Sequence, residues 1–160
     1  MPEITGMTIT HYDYLVSEDF SKFEFCSEGP RGKIKKVILF KQIQLQGSFI
    51  YNVGFGDADD SGVIHDLVVS NNHDAEKVLA TVAHAVIRFT NLHPHALVFA
   101  EGSTPSRTRR YQMAINKFRK EIELNFNIFG LLKEGEFEPF ESCKNYSGFA
   151  VTRKSSTFIV

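Results

Sequence analysis

Polar and apolar residues alternate in several segments between Lys22 and Val69, the signature of half-buried strands. Lys22 to Glu28 places Phe23 and Phe25 on one face and predicts a strand. Gly29-Pro30-Arg31-Gly32 is a turn. Lys33 to Gln46 is a second β-prone run, carrying Ile34, Val37, Ile38, Leu39, Phe40, Ile43 and Leu45. Its alternation slips at Val37 to Phe40, which predicts a bulge or a bend. Phe49 to Gly56 reads as a third strand with Phe49, Tyr51, Val53 and Phe55 on one side, and Val63 to Val69 as a fourth.

The period then changes. Ser70 to Asp74 is a capping segment with an Asn or Asp as N-cap. The helix beyond it turns Val78, Leu79, Val82, Ala83, Val86 and Ile87 inward and Lys77, Thr81, His84 and Arg88 to solvent. Leu97 to Phe99 is a short strand, broken by Gly102. Ser103 or Thr104 caps the next helix, and Pro105 falls in its first turn, where a missing N–H costs nothing. Tyr111, Ala114, Ile115, Phe118 and Ile122 form its apolar stripe. Phe126 to Leu132, Phe137 to Phe140 and Gly148 to Arg153 complete the extended segments, and residues 154–160 read as an edge strand or a loose tail.

No repeat or linker divides the chain, so residues 1–160 are expected to form one domain. The order β-β-β-β-α-β-α-β-β predicts an α+β fold: a single mixed, mostly antiparallel sheet of about six to seven strands with two main helices. The strand–helix–strand unit predicts that the fourth and fifth strands are parallel neighbours. A ligand would then enter at their C-terminal ends, with Asn71, Asn72 and His73 close to Glu101, Gly102 and Ser103.

Arg107, Arg109 and Arg110 crowd the start of the second helix, where the helix dipole favours acids instead. Each works against that field by about 0.3–1 kcal/mol, which a bound anion would relieve. The hydroxyls of Ser103, Thr104 and Ser106, free N–H groups and the guanidinium forks resemble a phosphate or carboxylate cradle. Pairing of the arginines by Glu101 and other acids is the structural alternative. The segment lacks the Gly-x-x-x-x-Gly-Lys pattern of a P-loop.

Composition narrows the field. Hydrophobic residues make up 42% and charged residues 23%, ordinary values for a globular chain, and fifteen Phe without a Trp make the core aromatic. The net charge of −1 gives no global attraction for nucleic acid, so any such contact would use the local Arg107–Arg110 patch. No apolar run reaches membrane-spanning length, and the N-terminal MPEITGMTITHYDY lacks a signal-peptide pattern. A cytoplasmic location is expected, with Cys26 and Cys143 as free thiols.

No metal site is expected. His93 and His95 stand two apart in a Pro-containing loop, a spacing that sets up no such site. Asp57 to Gly62 opens like a calcium loop, but Val68 occupies the place of its final bidentate Glu, so an acidic turn is expected. Ser103, His73 and Glu101 make a formal nucleophile–base–orienter set without a nucleophile elbow.

Two resemblances add to these readings. SEGPRGKIKKV, YNVGFGD, DLVVSNN with EKVLATVA behind it, and VFAEGSTPSRTRRYQMAI resemble a family of uncharacterised bacterial proteins of about 150–160 residues. That resemblance implies a bacterial cytoplasmic protein. The element order is also similar to GCN5-related N-acetyltransferases. This second likeness implies acetyl-CoA as cofactor and Tyr111, on the second helix, as general acid towards the leaving thiolate. The chain departs from that family where a glycine-containing pyrophosphate loop should follow the fourth strand, since SNNHDAEK holds no glycine.

The expected function is therefore binding of an anionic, phosphate-bearing small molecule at Gly102, Ser103, Thr104, Arg107, Arg109, Arg110, Asn71 and Asn72. Tyr111 and Glu101 are the catalytic candidates if acyl transfer occurs. The alternative is an interaction module, such as half of a toxin–antitoxin or defence pair, docking a protein partner or RNA on the basic helix start.

Overall fold

The computed structural model describes residues 10–43, 49–58, 64–65 (backbone), 72–102 and 104–154. Its strands are β1 (Leu15–Val16), β2 (Lys22–Gly29), β3 (Gly32–Ile43), β4 (Ile50–Ala58), β5 (Ile64–His65), β6 (Leu97–Ala100), β7 (Phe126–Leu131), β8 (Phe137–Pro139) and β9 (Gly148–Arg153). Helices α1 (Ala75–Leu92), α2 (Pro105–Lys117) and the single turn α3 (Arg119–Ile122) fill the connections. The fold is α+β with one mixed sheet in the order β1-β2-β3-β4-β6-β9-β7-β8, and β5 pairs off this path with β4. The described strands exceed the expected six to seven because β1, β5 and β8 are only two to three residues long.

The one parallel pair among the described residues corrects the expected pairing. β6 lies beside β4, with Ile50↔Leu97, Tyr51↔Val98 and Asn52↔Phe99 in register. The fourth segment instead contributes β5, antiparallel to the end of β4 at Asp57↔His65 and Ala58↔Ile64. A local hydrophobic pattern carries no information about pairing, and β4 with its nine residues offers the longer edge.

β2 and β3 pair without interruption from Lys22↔Leu39 to Gly29↔Gly32, and β3 and β4 from Lys36↔Asp57 to Ile43↔Ile50, so there is no bulge. The apparent slip has another cause: β3 is buried on both faces at its centre. Ile38 and Phe40 join the main core, whereas Val37 lies opposite Glu24, whose carboxylate is held by Lys22 and Lys35. The stems of these lysines shield apolar surface while their charges stay in water. Gly32 closes the hairpin with φ of 86°, a conformation open to glycine.

The main core packs Val78, Val82, Ala85 and Phe89 of α1 on Phe23, Phe25, Ile38, Phe40, Val53 and Val98. Full burial of each large apolar side chain contributes about 1.5–3 kcal/mol. Thr81 is fully buried, against expectation, because the segment before β1 lies over that side of α1. Tyr12 N–H donates to Thr81 Oγ1 at 2.9 Å, and Tyr14 Oη meets His84 Nδ1 at 2.8 Å. Arg88 Nη1 donates to the same phenol at 3.0 Å. A second cluster of Ile128, Phe140, Tyr146 and Phe149 receives Tyr111, Ile115 and Ile122. Among the described residues no helix is long and apolar enough to cross a membrane.

Candidate functional site at the fork between β4 and β6

Ladder pairing of β4 with β6 ends at Asn52, and pairing with β5 begins at Asp57. Residues 53–56 therefore present a backbone edge that meets no strand among the described residues. Unpaired strand edges retain strong hydrogen-bonding capacity. A cavity of about 210 Å³ opens against this edge, lined by Asn52, Gly54, Glu101, Gly102, Arg107 and Tyr111, with Val53 and Phe55 also on its wall.

The turn that carries β6 into α2 is tightly built. Thr104 is the N-cap, in extended conformation, and its side chain accepts from Arg107 N–H at 3.2 Å. Pro105 is the first helical residue, as the sequence predicts. Thr108, buried one turn on, accepts from Gly102 N–H at 3.0 Å and donates to Thr104 O at 3.2 Å. A Cβ on Gly102 would stand 2.4 Å from Thr108 N and 2.7 Å from Arg107 Cβ. Gly102 is thus required by the close approach of the strand end to the helix, and its open side faces the helix instead of a ligand.

This geometry trims the anion cradle expected at α2. Pro105 has no N–H, and Arg107 N–H is taken by Thr104. Among the described residues, only Ser106 N–H has no acceptor in the first turn. The half-buried Arg107 and the exposed Glu101 both line the cavity. Arg109 and Arg110 are exposed and do not line it. Tyr111 lines the cavity and touches Phe55, with ring centroids 5.4 Å apart.

Asn72 is placed elsewhere. It is 2% exposed, and its Oδ1 accepts from Arg31 N–H at 2.7 Å. Its Nδ2 donates to Ser27 Oγ at 3.1 Å and Gly32 O at 2.9 Å. Asn72 fastens the β2–β3 turn, with β3 and β4 between that turn and β6. His73, at φ of 58°, turns the chain so that Asp74 follows into the same network. Asp74 accepts from Tyr12 Oη at 2.6 Å and from Ser27 Oγ. At the N-cap of α1 its side chain makes no bond to the helix, while its backbone O accepts from Val78 N–H at 2.9 Å. Asn71 and Ser103 lie outside the described residues, as do Asp59, Asp60 and most of the acidic turn. Asp57 forms a largely buried ion pair with Lys36 across the strands, and no metal-binding cluster exists among the described residues.

Displaced titrations occur at residues that do not line this cavity. Burial, and then the hydrogen bond to Asp74, push the Tyr12 phenol up. Burial and the bond to Glu138 do the same for Tyr146. Both cysteines are free and exposed.

Sequence reading missed the β4 contribution, Asn52 to Phe55. Its signal was present in YNVGFG, where Gly54 alternates with Val53 and Phe55 and leaves the backbone open on one face. Together the fold and cavity define a one-sheet α+β protein with a small polar cleft at the mouth of the parallel β4–β6 pair. The chain belongs to a family of unknown function, DUF6934, whose model matches residues 8–154. No curated protein and no solved structure matches it.

Proposed function

We propose that the chain binds a small anionic molecule, phosphate-bearing and carrying hydrogen-bond donors, in the fork between β4 and β6. The observation that carries this reading is a polar cavity with Arg107 and Glu101 on its walls, set against four β4 positions that meet no strand among the described residues. Arg107 supplies a cationic fork, Ser106 N–H a backbone donor, and Glu101 and the β4 edge acceptors for the ligand's own donors. Tyr111 supplies a phenol beside them.

Acetyl-CoA suits these residues poorly. Its pyrophosphate would need the start of α1, where Asp74 sits at the N-cap and Glu76, already paired with Lys117, fills the first turn. Asn72 is buried and committed to the β2–β3 turn. The expected ligand is therefore smaller than a coenzyme. O-Phosphoserine, which joins a phosphate to donor groups, is a suitable probe. It should raise the unfolding midpoint at millimolar concentration, and the rise should vanish in Arg107→Ala. A rise with acetyl-CoA and none with O-phosphoserine would restore the acyl-transfer version, with Tyr111 as proton donor.

A second reading draws on the outer side of α2. Arg109, Arg110 and Met113, which is 62% exposed, share one exposed helix face at three- and four-residue spacing. This supports docking of an acidic protein partner or RNA. Charge reversal at Arg109 and Arg110 would remove a co-purifying partner and leave small-molecule binding intact.

A further inference from the structure

A second cavity, of about 180 Å³, lies over the sheet between α1 and the α2–α3 pair. It meets the polar fork only at Val53, Phe55 and Tyr111. Leu79, Ala83 and Val86 of α1, which the sequence places in the core, form one wall and remain half-buried because of it. Ala114 and Ile115 of α2 form the other. An apolar cavity of comparable volume elsewhere holds a benzene-sized molecule.

Among the described residues, one charged side chain belongs to this lining: Glu121, in α3. Its Oε2 is buried and accepts no hydrogen bond. Among the described residues it is the single buried side-chain polar atom without a partner. An orphaned acceptor in such surroundings is costly and calls for a donor. Among the described lining residues, Asn125 and Tyr111 carry the other polar side-chain groups. The last torsion of a glutamate is broad, so a donor entering the cavity can draw the carboxylate to its surface.

We infer that this cavity is a binding site for a small apolar amine, an aryl or short alkyl body with an ammonium head that bonds Glu121. The body fills the space between the helices, and the ammonium supplies the missing charge-assisted hydrogen bond. This goes beyond the anion site, which has the opposite charge and different polar groups, and either can fail without the other.

Benzylamine and toluene are matched probes, alike in their ring and differing in the ammonium. Binding is followed by two-dimensional NMR of the full chain. Benzylamine should perturb Val53, Val86 and Ile115 and bind roughly tenfold or more tightly than toluene, the scale of one charge-assisted hydrogen bond. Glu121→Gln, which keeps side-chain volume, should erase that preference and leave toluene binding unchanged. Ala83→Leu, which narrows the cavity, should weaken both probes. Equal affinity for the two probes, an amine preference that survives Glu121→Gln, or no perturbation by benzylamine would each overturn the inference.

Discussion

Replacing Gly102 by Ala tests the construction of the β6–α2 turn. The added Cβ would sit 2.4 Å from Thr108 N and 2.8 Å from Arg107 C, main-chain atoms of the first helical turn. Ordinary contact begins near 3.4 Å, so the overlap is about 1 Å against groups that cannot rotate away. Overpacking of this kind costs about 1–3 kcal/mol. The substitution also reduces the freedom of the unfolded chain, returning about 0.4–1 kcal/mol. A net loss of about 1–2 kcal/mol is expected, or roughly 2–8 °C in unfolding midpoint for a chain of this size. Gly54→Ala is the internal control, because it lies in the same cavity and its nearest atom would be Asn52 Nδ2 at 3.8 Å. It should be neutral or slightly stabilising. Thermal unfolding by circular dichroism compares the two, and equal midpoints for both variants would refute the packing argument.

Three other outcomes follow from the same structure. Asn72→Ala removes three hydrogen bonds at a buried position and should cost about 2–3 kcal/mol by urea denaturation; a loss below about 0.5 kcal/mol would deny its role as a fastener. Lys36→Met leaves Asp57 unpaired in a largely buried site and should cost about 3–5 kcal/mol, most of which Lys36→Met with Asp57→Leu should recover. The hydroxyl of Ser21, followed by that of Ser17, holds the Asp19 carboxyl down at about 2. Its folded value is lower than its unfolded one, so its contribution is present above the ordinary aspartate range and is lost as pH falls through about 2. An NMR titration should place the midpoint there, and Ser21→Ala should move it upward; an unchanged midpoint would remove the hydroxyl as the cause.

What could be read from the chain depends on how local each feature is. Thr104, Pro105 and the apolar stripe from Tyr111 to Ile115 follow from neighbouring residues and stand where the sequence indicated. The helix expected to run on to Ile122 stops at Lys117, and Ile122 falls in α3, half-buried like the rest of the stripe. The periodicity of α1 was equally legible, but the burial of Thr81 was not, since its cover comes from Tyr12, 69 residues away. Strand pairing is non-local in the same way, and β4 took the place beside β6 that Val63 to Val69 was expected to fill. Asn72 read as a ligand contact because a polar residue before a helix invites one, whereas its partners lie on a hairpin 40 residues earlier. Glu121, within RKEIEL, is indistinguishable from a surface acid until the helices are seen to stand apart over the sheet.

The central claim is that the fork between β4 and β6 is a ligand site built on Arg107. Native mass spectrometry of gently purified protein, beside Arg107→Ala with both unfolding midpoints recorded, tests it most directly. A small anionic adduct on the wild type, absent from a folded Arg107→Ala, is the predicted result. An adduct of equal occupancy in both would place the ligand elsewhere, and bare masses in both, with no adduct after incubation with O-phosphoserine, would contradict the claim.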